Sequence, residues 1–273
     1  MSRISQCFEK LKTDGQTALI PYITAGDPEP WVTVPLLHAL VDAGADIIEL
    51  GIPFSDPMSD GPVIQKACER ALKNDVSIKS VLTMVKKFRE KNTETPIVLM
   101  GYANPIEAVG YAEFAKLAQE AGVDGVLTVD VPPEESVEFR ELMDQHDIDT
   151  IYLVAPTTSA ERMSMIASFA RGFIYYVSIK GVTGSASLDV TEVNDKLSML
   201  RERTDLPLGV GFGIRDGKSA AAVAEIADAV VVGSTLVKCI EEHAQRLEEL
   251  PAAVAGLLAE MRHAINARDL AKA

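Results

Sequence analysis

"LVDAGADIIELGIPFSDPMSDGP", Leu40 to Pro62, carries the repeating pattern of the chain in one run. A helical pattern stops at the glycine-bearing turn "DAGAD", an apolar run "DIIELGI" follows from Asp46, and the chain then enters a loop rich in proline and aspartate. Helix, turn, strand and loop in that order make one βα unit. The run is apolar on both faces, as expected of a parallel strand covered by helices and not of a half-solvated antiparallel one.

The same pattern recurs outward in both directions. Strand candidates are "ALIPYITAG" from Ala18, "DIIELGI" from Asp46, "PIVLMGY" from Pro96, "DGVLTVD" from Asp124, "TIYLVAP" from Thr150, "FIYYVSI" from Phe173, "PLGVGFGI" from Pro207 and "DAVVVGST" from Asp228. Eight equivalent units favour an α/β fold closed as a (β/α)₈ TIM barrel over an open doubly wound sheet, because closure leaves no exposed edge. At 273 residues, with no low-complexity linker, the chain is expected to form one domain over residues 1–273. Ile4, Cys7, Phe8 and Leu11 are spaced as an additional N-terminal amphipathic helix, and "LPAAVAGLLAEMRHAINARDLAKA" is expected to be an extended final barrel helix.

Composition narrows function. Forty acidic against twenty-six basic residues give a formal charge of -14, which repels phosphate backbones and anionic lipid, so neither nucleic acid nor membrane is an expected partner. The N-terminus lacks the continuous apolar core of a signal peptide, and a cytoplasmic location is expected. Cys7, Cys68 and Cys239 fit neither a disulfide framework nor a zinc knuckle, and the four histidines lack a second ligand at metal spacing. No metal is expected.

Two long loops follow the second strand ("PFSDPMSDGP") and the sixth ("KGVTGSASLDV"), at the face where barrels place their sites. Glu49 sits among apolar neighbours near the end of the second strand. If its parity is inward it points to the mouth as a general acid or base; the alternative is a structural ion pair with a nearby lysine or arginine. Asp60, eleven residues later, precedes "GPVIQKACERAL" and by itself suits a turn or helix cap. Together the two carboxylates can be tuned apart, one carrying protons while the other stays ionised. "GVTG" (181–184), "GVGFG" (209–213) and "VVGST" (231–235) converge on one rim, and the last two follow strands seven and eight, where barrels commonly hold a phosphate. "GVGFG" is not a dinucleotide fingerprint, so no nicotinamide cofactor is indicated.

"ITAGDP" (23–28), "IELGIPFSDPMSDGPVIQKA" (48–67), "MGYANPI" (100–106), "VDVPPEES" (129–136), "KGVTG" and "GVGFGI" together resemble the tryptophan synthase α-subunit family over nearly the whole chain. The resemblance implies a lyase that splits indole-3-glycerol phosphate into indole and glyceraldehyde 3-phosphate by a retro-aldol reaction, with no cofactor. It makes Glu49 the acid and base and Asp60 the carboxylate that stabilises positive charge on the indole ring. Tyr175 matches a supporting tyrosine, Thr183 and Gly184 the closing loop, and Phe212, Gly213, Gly233 and Ser234 the phosphate and pocket positions. Tyr22, Leu127 and Leu153 are candidate indole-pocket walls, although barrel strands need such residues for their core anyway. Tyr176 has the opposite parity to Tyr175 and is expected to pack outward. The implied partner is the pyridoxal-phosphate β subunit in an α₂β₂ heterotetramer, met through the long loops and the "YANPI" region. Ile179-Lys180 and Met100-Gly101 depart from some relatives, with loop closure or docking the properties in question. Two rival readings are a Schiff-base aldolase using Lys180 and a non-catalytic activating subunit.

Overall fold

The structure is a computed structural model and describes residues 1–177, 190–211 and 213–272. Its strands are β1 (Ala18–Thr24), β2 (Ile48–Gly51), β3 (Ile97–Gly101), β4 (Gly125–Thr128), β5 (Asp149–Val154), β6 (Ile174–Val177), β7 (Leu208–Gly211) and β8 (Ala229–Val232). All pair in parallel with their sequence neighbours, and β8 returns to β1 with Ala18 opposite Ala229, closing the barrel. The α-helices are α1 (Arg3–Thr13), α2 (Pro30–Asp42), α3 (Pro62–Leu72), α4 (Ile78–Arg89), α5 (Ala103–Val109), α6 (Tyr111–Ala121), α7 (Val137–Gln145), α8 (Ala160–Phe169), α9 (Val190–Arg201), α10 (Gly217–Ala224), α11 (Ser234–Glu242) and α12 (Leu250–Lys272). The closed barrel expected from the apolar runs is the one observed.

Strand parity sorts the side chains into two cores. Ala18, Ile20, Ile47, Val98, Leu127, Ile151, Phe173, Tyr175, Ala229 and Val231 fill the barrel interior. The alternating residues, among them Leu19, Ile48, Leu50, Leu99 and Tyr176, pack outward against the helices. Tyr176 faces outward as expected, yet it is 1% exposed because the helical layer covers it. Glu49 is in phase with Ile47 and out of phase with Ile48 and Leu50, so its side chain enters the barrel.

The floor is sealed by α1. Its Ile4, Phe8 and Leu11 are buried, Phe8 packs on Phe173 with ring centroids 5.8 Å apart, and Ile4 lies against the bare backbone of Gly125. The expected N-terminal helix is therefore a plug for the N-terminal ends of the strands. A repeated device ties this floor together. Asp46, Asp124 and Asp228, each just before an even-numbered strand, accept the backbone N–H of Leu19, Ile97 and Leu208 on the preceding strand, all at 2.8 Å. Arginines stand against each carboxylate: Arg262 at 2.9 Å from Asp46, Arg89 at 2.6 Å and Arg3 at 2.7 Å from Asp124, and Arg201 at 3.7 Å from Asp228. At the seam between first and last units, α12 packs on both α2 and α10. Its buried face is Leu250, Val254, Leu258, Met261 and Ile265, and Asp269 at the end of that stripe accepts the Thr17 N–H at 3.0 Å.

Candidate active site

Tyr22 and Glu49 are register partners on β1 and β2, both inward and both near the C-terminal ends of the strands. A phenol fits there because Gly51 has no side chain: a Cβ at Gly51 would lie 2.2 Å from the Tyr22 hydroxyl. The arrangement repeats across the barrel, where a Cβ at Gly211 would lie 2.2 Å from the Tyr175 hydroxyl. Two glycines thus make room for two tyrosines flanking the same space.

Glu49 is 1% exposed, and among the described residues its Oε1 has no hydrogen-bond partner. Burial, with a smaller contribution from the negative charge of Asp60, raises its pKa from 4.5 to about 8. The structural ion pair considered for it is not formed among the described residues. A carboxyl of that kind is protonated near neutrality and can both give and take a proton.

Asp60 stands in the loop between β2 and α3. It does not cap α3, whose N-cap is Gly61. Instead its Oδ2 accepts a hydrogen bond from the Tyr102 hydroxyl at 3.0 Å, and that hydroxyl accepts the Ser59 N–H at 3.0 Å. The Tyr102 ring rests on Phe54, centroids 5.3 Å apart. Burial raises the Asp60 pKa, and the Tyr102 bond pulls it back down. The charges of Asp60 and Glu49 also help to push the Tyr22 and Tyr175 hydroxyls well above the usual phenol range, after burial as the leading cause. The two carboxylates and two tyrosines therefore share one site.

Tyr102 joins the site without having stood out in the sequence as a site residue. Its signal was the position of "MGYANPI" at the C-terminal end of β3, the same rim as Glu49. The Met100-Gly101 pair acquires a physical reading here, because a Cβ at Gly101 would come 3.1 Å from Ile52, while Ile52 N–H donates to the Met100 carbonyl at 2.8 Å. Leu153 is half-buried beside Tyr175 in register, whereas Leu127 is fully buried in the barrel interior next to Ile151.

Tyr22 also adjoins the segment between β8 and α11, where a phosphate is expected from the sequence. Gly233 precedes α11, whose first residue is Ser234, and a Cβ at Gly233 would make only ordinary contact with Tyr22 at 3.6 Å. The first backbone N–H groups of a helix have no intrahelical partner and point at the approaching ligand. Gly213, with φ +77°, forms the turn after β7, and the Thr235 hydroxyl donates to the Ile214 carbonyl at 2.7 Å, binding that turn to the start of α11. Ile179, Lys180, Thr183, Gly184 and Phe212 lie outside the described residues. Two clefts of about 850 and 740 Å³ open at the floor beside α1, on the face opposite these groups.

A closed barrel with a protonatable carboxyl buried near its C-terminal mouth and a second carboxylate whose charge acts on it defines a class: a (β/α)₈-barrel enzyme with a site suited to proton transfer. Residues 8–266 match the family described as tryptophan synthase alpha chain. The chain is 60% identical over 266 residues to the tryptophan synthase alpha chain of Thioalkalivibrio sulfidiphilus, covering 97% of this chain and 100% of that one. It superposes on tryptophan synthase subunit alpha from Legionella pneumophila with a TM-score of 0.92 at 48% identity, covering 98% and 99% of the two chains. A chain of the tryptophan synthase α₂β₂ complex of Pyrococcus furiosus, studied for mutual activation, gives 0.83 at 39% identity over 91% of this chain and 99% of that one. This chain belongs to the tryptophan synthase alpha chain family.

Proposed function

We propose that Glu49 moves the protons and Asp60 holds the developing positive charge in the reaction of this family. The chain is a lyase of tryptophan biosynthesis that cleaves indole-3-glycerol phosphate to indole and D-glyceraldehyde 3-phosphate. The observation that carries the residue roles is the depth of Glu49, which leaves its carboxyl protonated up to about pH 8 while Asp60 is steadied as an anion by Tyr102.

The steps follow from that pairing. The substrate phosphate sits at Gly233 and Ser234 with the Gly213 turn, and the indole ring lies among Tyr22, Tyr175 and Leu153 with its N–H toward Asp60. Protonated Glu49 gives its proton to indole C3, and the ring becomes an indolenine cation held by the Asp60 carboxylate. Glu49, now ionised, takes the proton of the adjacent glycerol hydroxyl. The carbon–carbon bond breaks, its electron pair returns to the ring, and an aldehyde and indole leave with Glu49 again protonated. A fixed anion counts for more in this dry site than in water.

The proposed partner is a β subunit in an α₂β₂ assembly, as in the Pyrococcus furiosus complex. Met58, 80% exposed in the loop that ends at Asp60, gives this reading its support, since a docked partner there would press on the catalytic carboxylate. A cytoplasmic location is proposed alongside it; among the described residues no helix is long and apolar enough to cross a membrane.

The test is indole release from indole-3-glycerol phosphate by wild type, Glu49→Gln and Asp60→Asn, with and without a β subunit. Both variants are expected to lose at least about 100-fold, the scale of general acid–base assistance. Full activity in Glu49→Gln would remove Glu49 from the chemistry. Borohydride trapping with substrate is expected to leave Lys180 unmodified.

A further inference from the structure

Asp27 is 0% exposed, and a carboxylate taken wholly out of water needs strong partners. Arg70, near the end of α3, supplies them as a fork: Nε to Oδ1 at 2.6 Å and Nη2 to Oδ2 at 2.9 Å. Its third face is used as well, because Nη1 donates to Glu241 Oε1 on α11 at 3.1 Å. A second link runs parallel to the first, with Asn74 Nδ2 donating to the Pro28 carbonyl at 3.0 Å. One guanidinium therefore joins the loop after β1, the helix after the Asp60 loop and the helix that begins at Ser234.

Beneath these polar links lies an apolar cluster of Tyr22, Ala67 and Val237, with Val63 and Ile64 packed against it. Both helices thus rest on the tyrosine whose strand partner is Glu49. The Arg70 guanidinium bonds to Asp27 and Glu241 and, among the described residues, to neither Glu49 nor Asp60. A buried ion pair is seldom more stabilising than apolar packing of the same volume, whereas its bonding geometry specifies one arrangement among several.

We infer that Arg70 is a positioning residue for the lyase reaction: through Asp27 and Glu241 it sets the distance between the Asp60 carboxylate and the phosphate-binding start of α11. A helix transmits such a restraint along its length. α3 carries it from Arg70 back to Gly61 and Asp60, and α11 carries it from Glu241 back to Ser234. Phosphate and indole ring are the two ends of the substrate, so the clamp decides whether both ends are held at once. The inference rests on the function proposed above.

The experiment compares wild type, Glu241→Ala, Arg70→Lys and Ser234→Asp, each with a β subunit, for kcat, KM and inhibition by inorganic phosphate, alongside thermal denaturation. Glu241 is 38% exposed, so Glu241→Ala, which removes the oxygen that accepts from Arg70, is expected to fold and melt as wild type does. Its KM for indole-3-glycerol phosphate is expected to rise about three- to tenfold, with kcat within about twofold and phosphate inhibition weakened by the same factor. Arg70→Lys keeps the charge but not the fork, and is expected to lower kcat/KM further, by about tenfold or more. Unchanged KM and phosphate inhibition in Glu241→Ala would overturn the inference, whatever Arg70→Lys does to folding. Ser234→Asp separates this from the functional reading: a raised KM there with none in Glu241→Ala refutes the clamp alone, and an inactive wild type refutes the functional assignment.

Discussion

The Tyr102 hydroxyl donates to Asp60 at 3.0 Å while accepting the Ser59 N–H at 3.0 Å, so a residue beyond β3 holds a carboxylate carried by the loop after β2. That bond favours the charged form of Asp60 against the burial that opposes it. Tyr102→Phe is expected to raise the Asp60 pKa and to move the acid limb of the kcat/KM profile to higher pH, with a loss of about tenfold at neutral pH. An acid limb that stays in place would show that Tyr102 does not tune Asp60.

The folded-state pKa of Glu49 lies above its value in free peptide, about 8 against 4.5. Between these values the native state binds a proton that the unfolded chain has released, so this group's contribution to stability falls as pH rises through the interval and levels off above about 8. Glu49→Gln has no such titration. Its denaturation midpoint is expected to gain on wild type from about pH 5 to about pH 8, by an amount equivalent to roughly 2–5 kcal/mol. A difference independent of pH would mean that Glu49 ionises in the barrel as it does in water.

Asp60 contributes to that raised pKa through its charge. In Asp60→Asn the side-chain carbon resonance of Glu49 is expected to titrate at lower pH than in wild type, because a like charge has been removed. An unmoved midpoint would place the whole shift on burial.

Gly51 and Tyr22 occupy each other's space, the Tyr22 hydroxyl standing where a Cβ would be. Gly51→Ala is expected to cost about 1–3 kcal/mol through overpacking. Adding Tyr22→Phe should recover part of it by removing the clashing oxygen, a coupling that a double-mutant cycle in denaturant measures. Additive effects would mean that the strand shifts and the ring does not.

At the floor, Asp124 accepts the Ile97 N–H and neutralises Arg89, which is 10% exposed. Asp124→Ala leaves a buried cation unpaired and is expected to cost about 3–5 kcal/mol. The folded fraction should retain wild-type kcat, because the floor lies at the end of the barrel away from Glu49. A fall in kcat at full folding would show that floor and mouth are coupled.

The eight strands were legible because each is buried on both faces and so reads as a short apolar run. Glu49 stood out as a carboxylate among apolar neighbours near the end of the second strand, with its parity left open until the strand bounds fixed it in phase with Ile47. The strand signal is local, set by a period of two. The tertiary structure decided the rest. Asp60 reads as a turn or cap residue until Tyr102, forty-two positions on, is brought against it. Asp27, Arg70 and Glu241 are ordinary charged residues in their own segments, and only closure of the barrel brings the loop after β1, α3 and α11 to one guanidinium. The raised pKa of Glu49 is likewise a property of depth and of a neighbouring charge, which no spacing along the chain encodes. Alternation and turn chemistry act between adjacent residues, whereas desolvation and electrostatic coupling depend on distances that exist only once the chain has closed.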